Sequence, residues 1–370
     1  MARVVGGSFK RISPEDIKVT KSVLNQLVDV IQEDVSGSST RRTYQVFVTG
    51  GVGPGVTSSL FQTVYDQDFS LQTANPVMDM TVGLYVTSSA VQDAKTGDDS
   101  AGKILFPSTS LMMREKVDIY RQYAASLLGD ADQAFYSPFQ IQATPGSTAT
   151  DRIDNAYFMS FKRLFSRDGI KRETFATRIY RSGAFAYDEG VGTDSANGQP
   201  NIALTAESGS AIFTDVGSST SQTRTFGGAV GNIRNAANTA ETVGLIFYDA
   251  GTVVLDMAKV FSGSQKMSGT IDAMAVAGGA MSAGKTLMGS ASGNPRAKLI
   301  PDFIVSASID DIVDHIASTR FQSGTLTAAT FQNNTNINST LVFCRATADE
   351  FNYSTNPTFV NSDGRIRVID

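Results

Sequence analysis

The chain has 370 residues, enough for two or three domains with sizeable buried cores. Charged residues make up only 18%, and the polar remainder is Ser, Thr, Asn, Gln and 33 Gly, a balance that favours strands and turns over a helical bundle. The net charge of −5 and the lack of a long run of Lys and Arg disfavour nucleic acid as the main partner.

The sequence contains neither a signal peptide nor a stretch of about 18 apolar residues that could span a membrane. We therefore expect a soluble product of the cytoplasm, with no membrane partner. Cys344 is the single cysteine, so an intrachain disulfide is impossible, and its apolar surroundings predict a buried, inert thiol.

Residues 1–150 are predicted to form a mixed α/β domain. Ser13 and Pro14 are typical of a helix start, and apolar residues from Ile17 to Val35 recur at mostly helical spacing until Gly37. Two strands are predicted at residues 44–49 and 81–87. A second helix is predicted over residues 114–128, with one apolar face and Gly129 as its stop. The inward residues of this helix are expected to be Val117, Tyr120, Tyr123, Ala124 and Leu127.

Residues 151–265 are predicted to form a β-rich domain. Aromatic and β-branched residues at 157–165 and 170–180 flank Asp168-Gly169, a dipeptide typical of tight hairpins, so a hairpin is predicted there. Residues 188–242 are interpreted as long surface loops or short strands. A second hairpin is predicted over residues 242–255.

Residues 266–299 are predicted to be a loop rich in Gly, Ala and Ser. Residues 300–370 are predicted to be a β-rich C-terminal segment, with a short helix at 309–316 and a last strand at 364–369. The expected fold class is α+β, mostly β, with a mixed N-terminal domain followed by a β-rich region that carries long Gly/Ser loops.

One phosphate-binding loop pattern occurs, from Gly279 through Gly284 and Lys285 to Thr286. In a true site the backbone amides would hold phosphates, Lys285 would neutralise them and Thr286 would reach a magnesium ion. The segment before the pattern is short and Ala-rich rather than a buried strand. Gly and Pro after it would break the required helix, so a chance match is favoured.

Other catalytic chemistry has few residues to use. His315 is the only histidine, so a catalytic triad or a zinc site of the usual kind has too few ligands. The nearby acids Asp310, Asp311 and Asp314 are most simply helix-start residues that complement the helix dipole. We therefore predict no enzymatic activity, no cofactor and no metal, with a P-loop nucleotide hydrolase as the alternative.

Several blocks resemble structural proteins of T4-like contractile bacteriophages, especially those of marine cyanobacteria. The resemblance is carried by residues 338–346, by the Glu-Phe-Asn-Tyr-Ser block within residues 350–359, by residues 157–163 and by residues 244–251. It covers scattered parts of about the last 200 residues. We associate this combination of blocks with components of the baseplate wedge.

The resemblance implies a virion structural protein of the phage tail, made in the bacterial host cytoplasm. Its partners would be other copies of itself and other tail or baseplate subunits. A different virion role, as a neck, sheath-terminating or capsid-associated protein, remains open. The candidate interface anchors are Phe351, Tyr353 and Phe359, because aromatic residues that alternate in an extended segment suit a strap laid over a partner.

Overall fold

The structure is a computed structural model. It describes residues 13–31, 47–48, 60–66, 72–106, 112–140, 151–181, 183–185, 210–261, 265–267, 308–321, 327–343, 358 and 360–362. Strands account for 46% of the described residues and helices for 20%, which confirms the α+β, mostly β class. By contacts the chain divides into two compact units, Met1–Leu24 with Asn336–Asp370, and Asn25–Thr335.

The described strands are numbered in chain order. They are β1 Ile17–Ile31, β2 Phe47–Val48, β3 Gln62–Tyr65, β4 Pro76–Leu84, β5 Gly97–Asp98, β6 Ile104–Leu105, β7 Asn155–Phe161, β8 Ala176–Tyr180, β9 Gly183–Phe185, β10 Ser210–Thr214, β11 Thr223–Thr225, β12 Gly228–Asn235, β13 Asn238–Phe247, β14 Thr252–Asp256, β15 Gln265–Met267 and β16 Ala328–Val342. The helices are α1 Ser89–Ala94, α2 Met112–Leu127, α3 Arg163–Ser166, α4 Met257–Val260 and α5 Ile309–Arg320, after a 3-10 turn at Pro14–Asp16.

Twelve of these strands form one sheet, in the order β1-β16-β8-β10-β12-β13-β14-β7-β4-β3-β2, with β11 added to β12. Strand β7 lies between β4 and β14, so Phe158 has Thr81 opposite it on one side and Val254 on the other. Both faces of β7 are covered, with Tyr123 of α2 against Phe158 and Phe261 against Tyr157, so almost every one of its residues is buried. Such a strand has a nearly continuous apolar sequence rather than an alternating one.

Helix α2 covers the sheet through a cluster of aromatic rings. The ring of Tyr123 stacks on Phe158 with centroids 4.0 Å apart, and Tyr120 meets Phe135 edge to face at 5.3 Å. The buried Tyr120 hydroxyl donates to the Ile153 carbonyl at 2.9 Å and accepts from the Phe135 amide at 2.8 Å. The helix is thereby fixed by both apolar contact and satisfied hydrogen bonds.

The predicted N-terminal helix is wrong. Only Pro14–Asp16 form a helical turn, and residues Ile17–Ile31 form strand β1 instead. Ile17, Val19 and Val23 fit a period of two as well as helical spacing, and β-branched residues favour strands when a partner strand is present. That partner is β16. Val35 and Gly37, the predicted end of the helix, lie outside the described residues.

The predicted hairpin around Asp168-Gly169 is also wrong. Strand β7 pairs with β4 and β14, whereas β8 pairs with β10 and β16. Residues 162–175 between them include the one-turn helix α3, and the backbone amides of Asp168 and Lys171 donate to the carbonyls of Asn334 and Gln332. The segment between β7 and β8 therefore bonds to β16 rather than closing a local turn.

Other predicted elements are confirmed. Helix α2 buries Val117, Tyr120, Ala124 and Leu127, while Tyr123 is half-buried, and Gly129 follows its end with φ of 90°. Strands β13 and β14 form the hairpin predicted at 242–255, and α5 contains the helix predicted at 309–316. The prediction for 188–242 is only partly right, since β10 and β11 are short strands but β12 and β13 have eight and ten residues and lie inside the main sheet. The strand predicted at 364–369 and most of the loop at 266–299 lie outside the described residues.

Candidate interaction surface

The unit formed by Met1–Leu24 and Asn336–Asp370 contains a two-stranded antiparallel ribbon. The Phe343 amide donates to the Asp16 carbonyl at 2.8 Å, and the hydroxyls of Thr20 and Ser339 lie 2.6 Å apart. Both contacts fit one antiparallel register. We call residues 17–24 and 336–343 the apolar ribbon.

The apolar ribbon exposes large hydrophobic side chains. Among the described residues, nine of the fifteen exposed large hydrophobics lie on β1, on β16 or at Phe343. Val19 is 70% exposed and Phe343 is 55% exposed. Single exposed apolar residues are ordinary, but this concentration on two paired strands is typical of a surface that binds another protein.

Both faces of the apolar ribbon carry such residues. Successive residues of a strand project to opposite faces, and residues opposite each other in an antiparallel pair share a face. One face carries Ile17, Val19, Val23 and Val342. The other carries Leu24, Ile337, Leu341 and Phe343. The ribbon can therefore pack between two layers, and the stabilisation would come from apolar area removed from water, at about 25 cal/mol per Å².

The buried carboxylate of Asp215 ties the connection between β7 and β8 to the sheet. It accepts hydrogen bonds from the amides of Glu173 at 2.7 Å and Phe175 at 3.1 Å, and from the Tyr248 hydroxyl at 2.8 Å. Burial raises the pKa of Asp215, and these hydrogen bonds partly offset that rise. The guanidinium of Arg172 lies 4.8 Å from the Tyr248 ring. Each of these contacts joins two residues of the same fold, so we assign this cluster a role in stabilising the folded chain.

Replacement of Tyr248 by phenylalanine is expected to lower the free energy of unfolding by about 2 kcal/mol, because a buried carboxylate loses a charge-assisted hydrogen bond. Replacement of Tyr123 by phenylalanine removes a hydroxyl that lies 3.0 Å from the neutral Ser160 hydroxyl and should cost about 1 kcal/mol. Urea unfolding at pH 7 measures both. Equal losses would contradict the charged role of Asp215.

Arg320 is a second buried charge within the sheet-bearing unit. Its Nε donates to the Tyr180 carbonyl at 3.0 Å, and its guanidinium lies 4.5 Å from the ring of Phe261. Burial lowers the pKa of Arg320 to about 9. Its hydrogen bonds and its stacking identify it as a side chain that anchors the end of α5.

An open groove of about 560 Å³ lies beside α2. Its lining mixes apolar residues such as Phe106 and Val117 with the cations Lys103, Arg114 and Arg121. Arg121 pairs with Asp132 at 2.8 Å across this lining. The charged side chains of this lining include both cations and carboxylates, as on a solvent-exposed helix face. The lining places no nucleophile next to a general base.

The site residues predicted from the sequence are not described by the structure. The phosphate-loop residues Gly279, Gly284, Lys285 and Thr286 lie outside the described residues, and so do Phe351, Tyr353, Phe359 and Cys344. His315 belongs to α5, but its side chain is outside the described set. Sequence reasoning missed the apolar ribbon, although the alternation of Ile17, Val19 and Val23 was the pattern that could have revealed it.

Within the described ranges, no group of three or more His, Cys, Asp or Glu side chains is arranged to hold a metal ion. In the same part of the chain, no helix has both the length and the apolar character needed to cross a lipid bilayer. No protein-family model, no curated protein and no solved structure matches this chain.

Proposed function

We propose that this chain is an architectural subunit of a contractile bacteriophage tail, acting as a baseplate wedge component through protein–protein contacts. The observation that carries the proposal is the apolar ribbon, which exposes hydrophobic side chains on both faces. Surfaces of this kind are typical of subunits that remain bound to neighbours, since leaving them in water has a free-energy cost.

The sequence resemblance and the apolar ribbon overlap in one block. One of the resembling blocks, residues 338–346, begins within β16 of the apolar ribbon, whereas residues 157–163 and 244–251 belong to the sheet and its turns. The low charged fraction of 18% also suits a subunit with extensive interfaces, because charged groups are costly to desolvate.

In this proposal the chain resides in the virion, and its partners are further copies of itself and other tail or baseplate subunits. It catalyses no reaction and needs no cofactor. A neck, sheath-terminating or capsid-associated role is the alternative within the same class. The nucleotide hydrolase based on Lys285 remains a sequence prediction.

Light scattering on the purified chain tests the architectural role. We expect a discrete oligomer with a mass that is a multiple of 39.3 kDa and is the same with and without ATP and magnesium. A monomer whose state changes with nucleotide would instead favour the phosphate loop at Gly279–Thr286.

Changing one face of the apolar ribbon should separate assembly from folding. Leu341→Ser combined with Phe343→Ser is expected to lower the oligomer mass while changing the free energy of unfolding by less than about 0.5 kcal/mol per site, because both side chains are exposed. Leu164→Ser is the matched control, since Leu164 is 49% exposed on α3 and belongs to the other compact unit. An equal effect of the control on oligomer mass would argue against the ribbon.

A further inference from the structure

We infer that the edge of β1 over Ile17–Leu24 binds an extended, acidic and apolar segment of a different protein subunit by strand addition. The inference deepens the proposed function and rests on it, since it names the chemistry of one partner. Strand β1 ends the strand order of the main sheet, and among the described strands β16 is its one neighbour. Its other edge is therefore the place where another strand can add.

The hydrogen-bonding groups of that edge can be assigned from the register. The Asp16 carbonyl accepts from the Phe343 amide and Thr20 lies opposite Ser339, so Thr20 directs its N–H and C=O groups toward β16. Alternate residues of an antiparallel strand direct their N–H and C=O groups to opposite edges. Val19, Lys21 and Val23 therefore direct theirs away from β16, whereas the Ile17 N–H already donates to the Pro14 carbonyl.

Apart from its two lysines, strand β1 lacks the features that commonly prevent pairing at an edge. It is 15 residues long and contains no proline, and its residues 17–24 are exposed. Its residues Ile17, Val19 and Val23 present apolar side chains on one face. Strand addition would thus supply main-chain hydrogen bonds along the edge and apolar cross-strand contacts on that face.

The charge of the segment decides between a second copy and a different partner. Residues 17–24 contain Lys18 and Lys21 and no acid, and residues 336–343 contain no charged residue, although the whole chain has a net charge of −5. Two copies joined edge to edge over these residues would gather four lysines with no carboxylate among them. Lysines on an edge oppose such self-pairing, whereas a strand with Asp or Glu opposite them is favoured.

The test uses the full chain and a fluorescent synthetic peptide of about ten residues that alternates valine with threonine and glutamate. Fluorescence anisotropy should show binding to the unmodified chain. Val19→Pro removes one outward N–H without removing a bond to β16, and it is expected to weaken binding roughly tenfold. Val19→Ala keeps that N–H and should weaken binding less. Circular dichroism of each variant verifies that the fold is retained.

A charge exchange gives a second, independent readout. Lys21→Glu is expected to weaken binding of the glutamate peptide and to strengthen binding of the same peptide with lysine in place of glutamate. Absence of peptide binding to the unmodified chain would overturn the inference, and so would equal losses in Val19→Pro and Val19→Ala. An oligomer of the chain alone that Val19→Pro dissociates would assign the edge to a second copy and overturn the choice of partner.

Failure of the inference can be distinguished from failure of the proposed function. If the chain is found in the tail but binds no strand peptide, the architectural role stands and the edge proposal falls. If the chain is absent from virus particles but binds the peptide, the edge is a binding site whose partner lies elsewhere, and the tail role falls.

Discussion

Replacing Gly244 by alanine is expected to destabilise the protein by about 3 kcal/mol, because the added methyl group has no space between two central strands. A Cβ atom at this position would lie 2.3 Å from the Val254 carbonyl oxygen and 2.8 Å from Leu255 Cδ2. Gly244 faces Leu255 in the pairing of β13 with β14, so relief of the clash would require these strands to separate. Urea unfolding followed by circular dichroism measures the loss.

Gly217→Ala is the matched control for this substitution. Gly217 has φ of 83° but no atom near its Cβ position, so alanine there meets backbone strain without a clash. We expect a loss of about 1 kcal/mol. Equal losses for the two variants would contradict the close approach of β13 and β14.

Asp256→Asn is expected to stabilise the protein by about 3 kcal/mol above pH 7. Burial raises the pKa of Asp256 from 3.8 to about 6. Keeping its charged form in the folded state therefore costs on the order of 3 kcal/mol, since one pKa unit corresponds to about 1.4 kcal/mol. Asparagine keeps the acceptor that receives the Ala258 amide at 3.0 Å at the start of α4, and it is neutral.

The pH dependence follows from the direction of the same shift. Between about pH 4 and pH 6 the folded state binds this proton more tightly than the unfolded state, so the free energy of unfolding falls as pH rises through this range. Asp256→Asn should lack this fall, and its advantage over the unmodified protein should grow with pH. Asp118→Asn, at an exposed position of α2, should change stability little. Parallel stability curves for Asp256→Asn and the unmodified protein would contradict the burial of a charged group.

Local sequence was sufficient where an element is defined by its own residues. The apolar face of α2 and the Gly129 that follows it predicted both its position and its buried side. The hairpin of β13 and β14 was predicted in the same way, because its two strands are adjacent in the chain. In these cases the periodicity and the turn residues lie within a single segment.

Local sequence failed where the partner is distant. Thr20 of β1 contacts Ser339 of β16 across 319 residues of chain, and no local pattern identifies that partner. Spacing that is compatible with both helix and strand was therefore interpreted as helix. Strand β8 gave the same kind of error, since its neighbours β10 and β16 are supplied by later parts of the chain.

The candidate surface was harder to predict than the fold class. Exposure of Val19 or Leu341 depends on which elements cover them, and composition and spacing do not specify this. The anchors chosen from the sequence, Phe351, Tyr353 and Phe359, remain predictions because they lie outside the described residues. Residues 336–343 of the apolar ribbon come shortly before this segment in the chain, so we expect the C-terminal region to contribute to a contact surface.

The location of the chain in virus particles tests the central claim most directly. Antibodies raised against the purified chain, bound to gold and applied to particles from the source that encodes it, should label the distal end of a contractile tail. Label at the neck or capsid would instead assign one of the other virion roles. Particles that contain no copy of the chain would contradict the account.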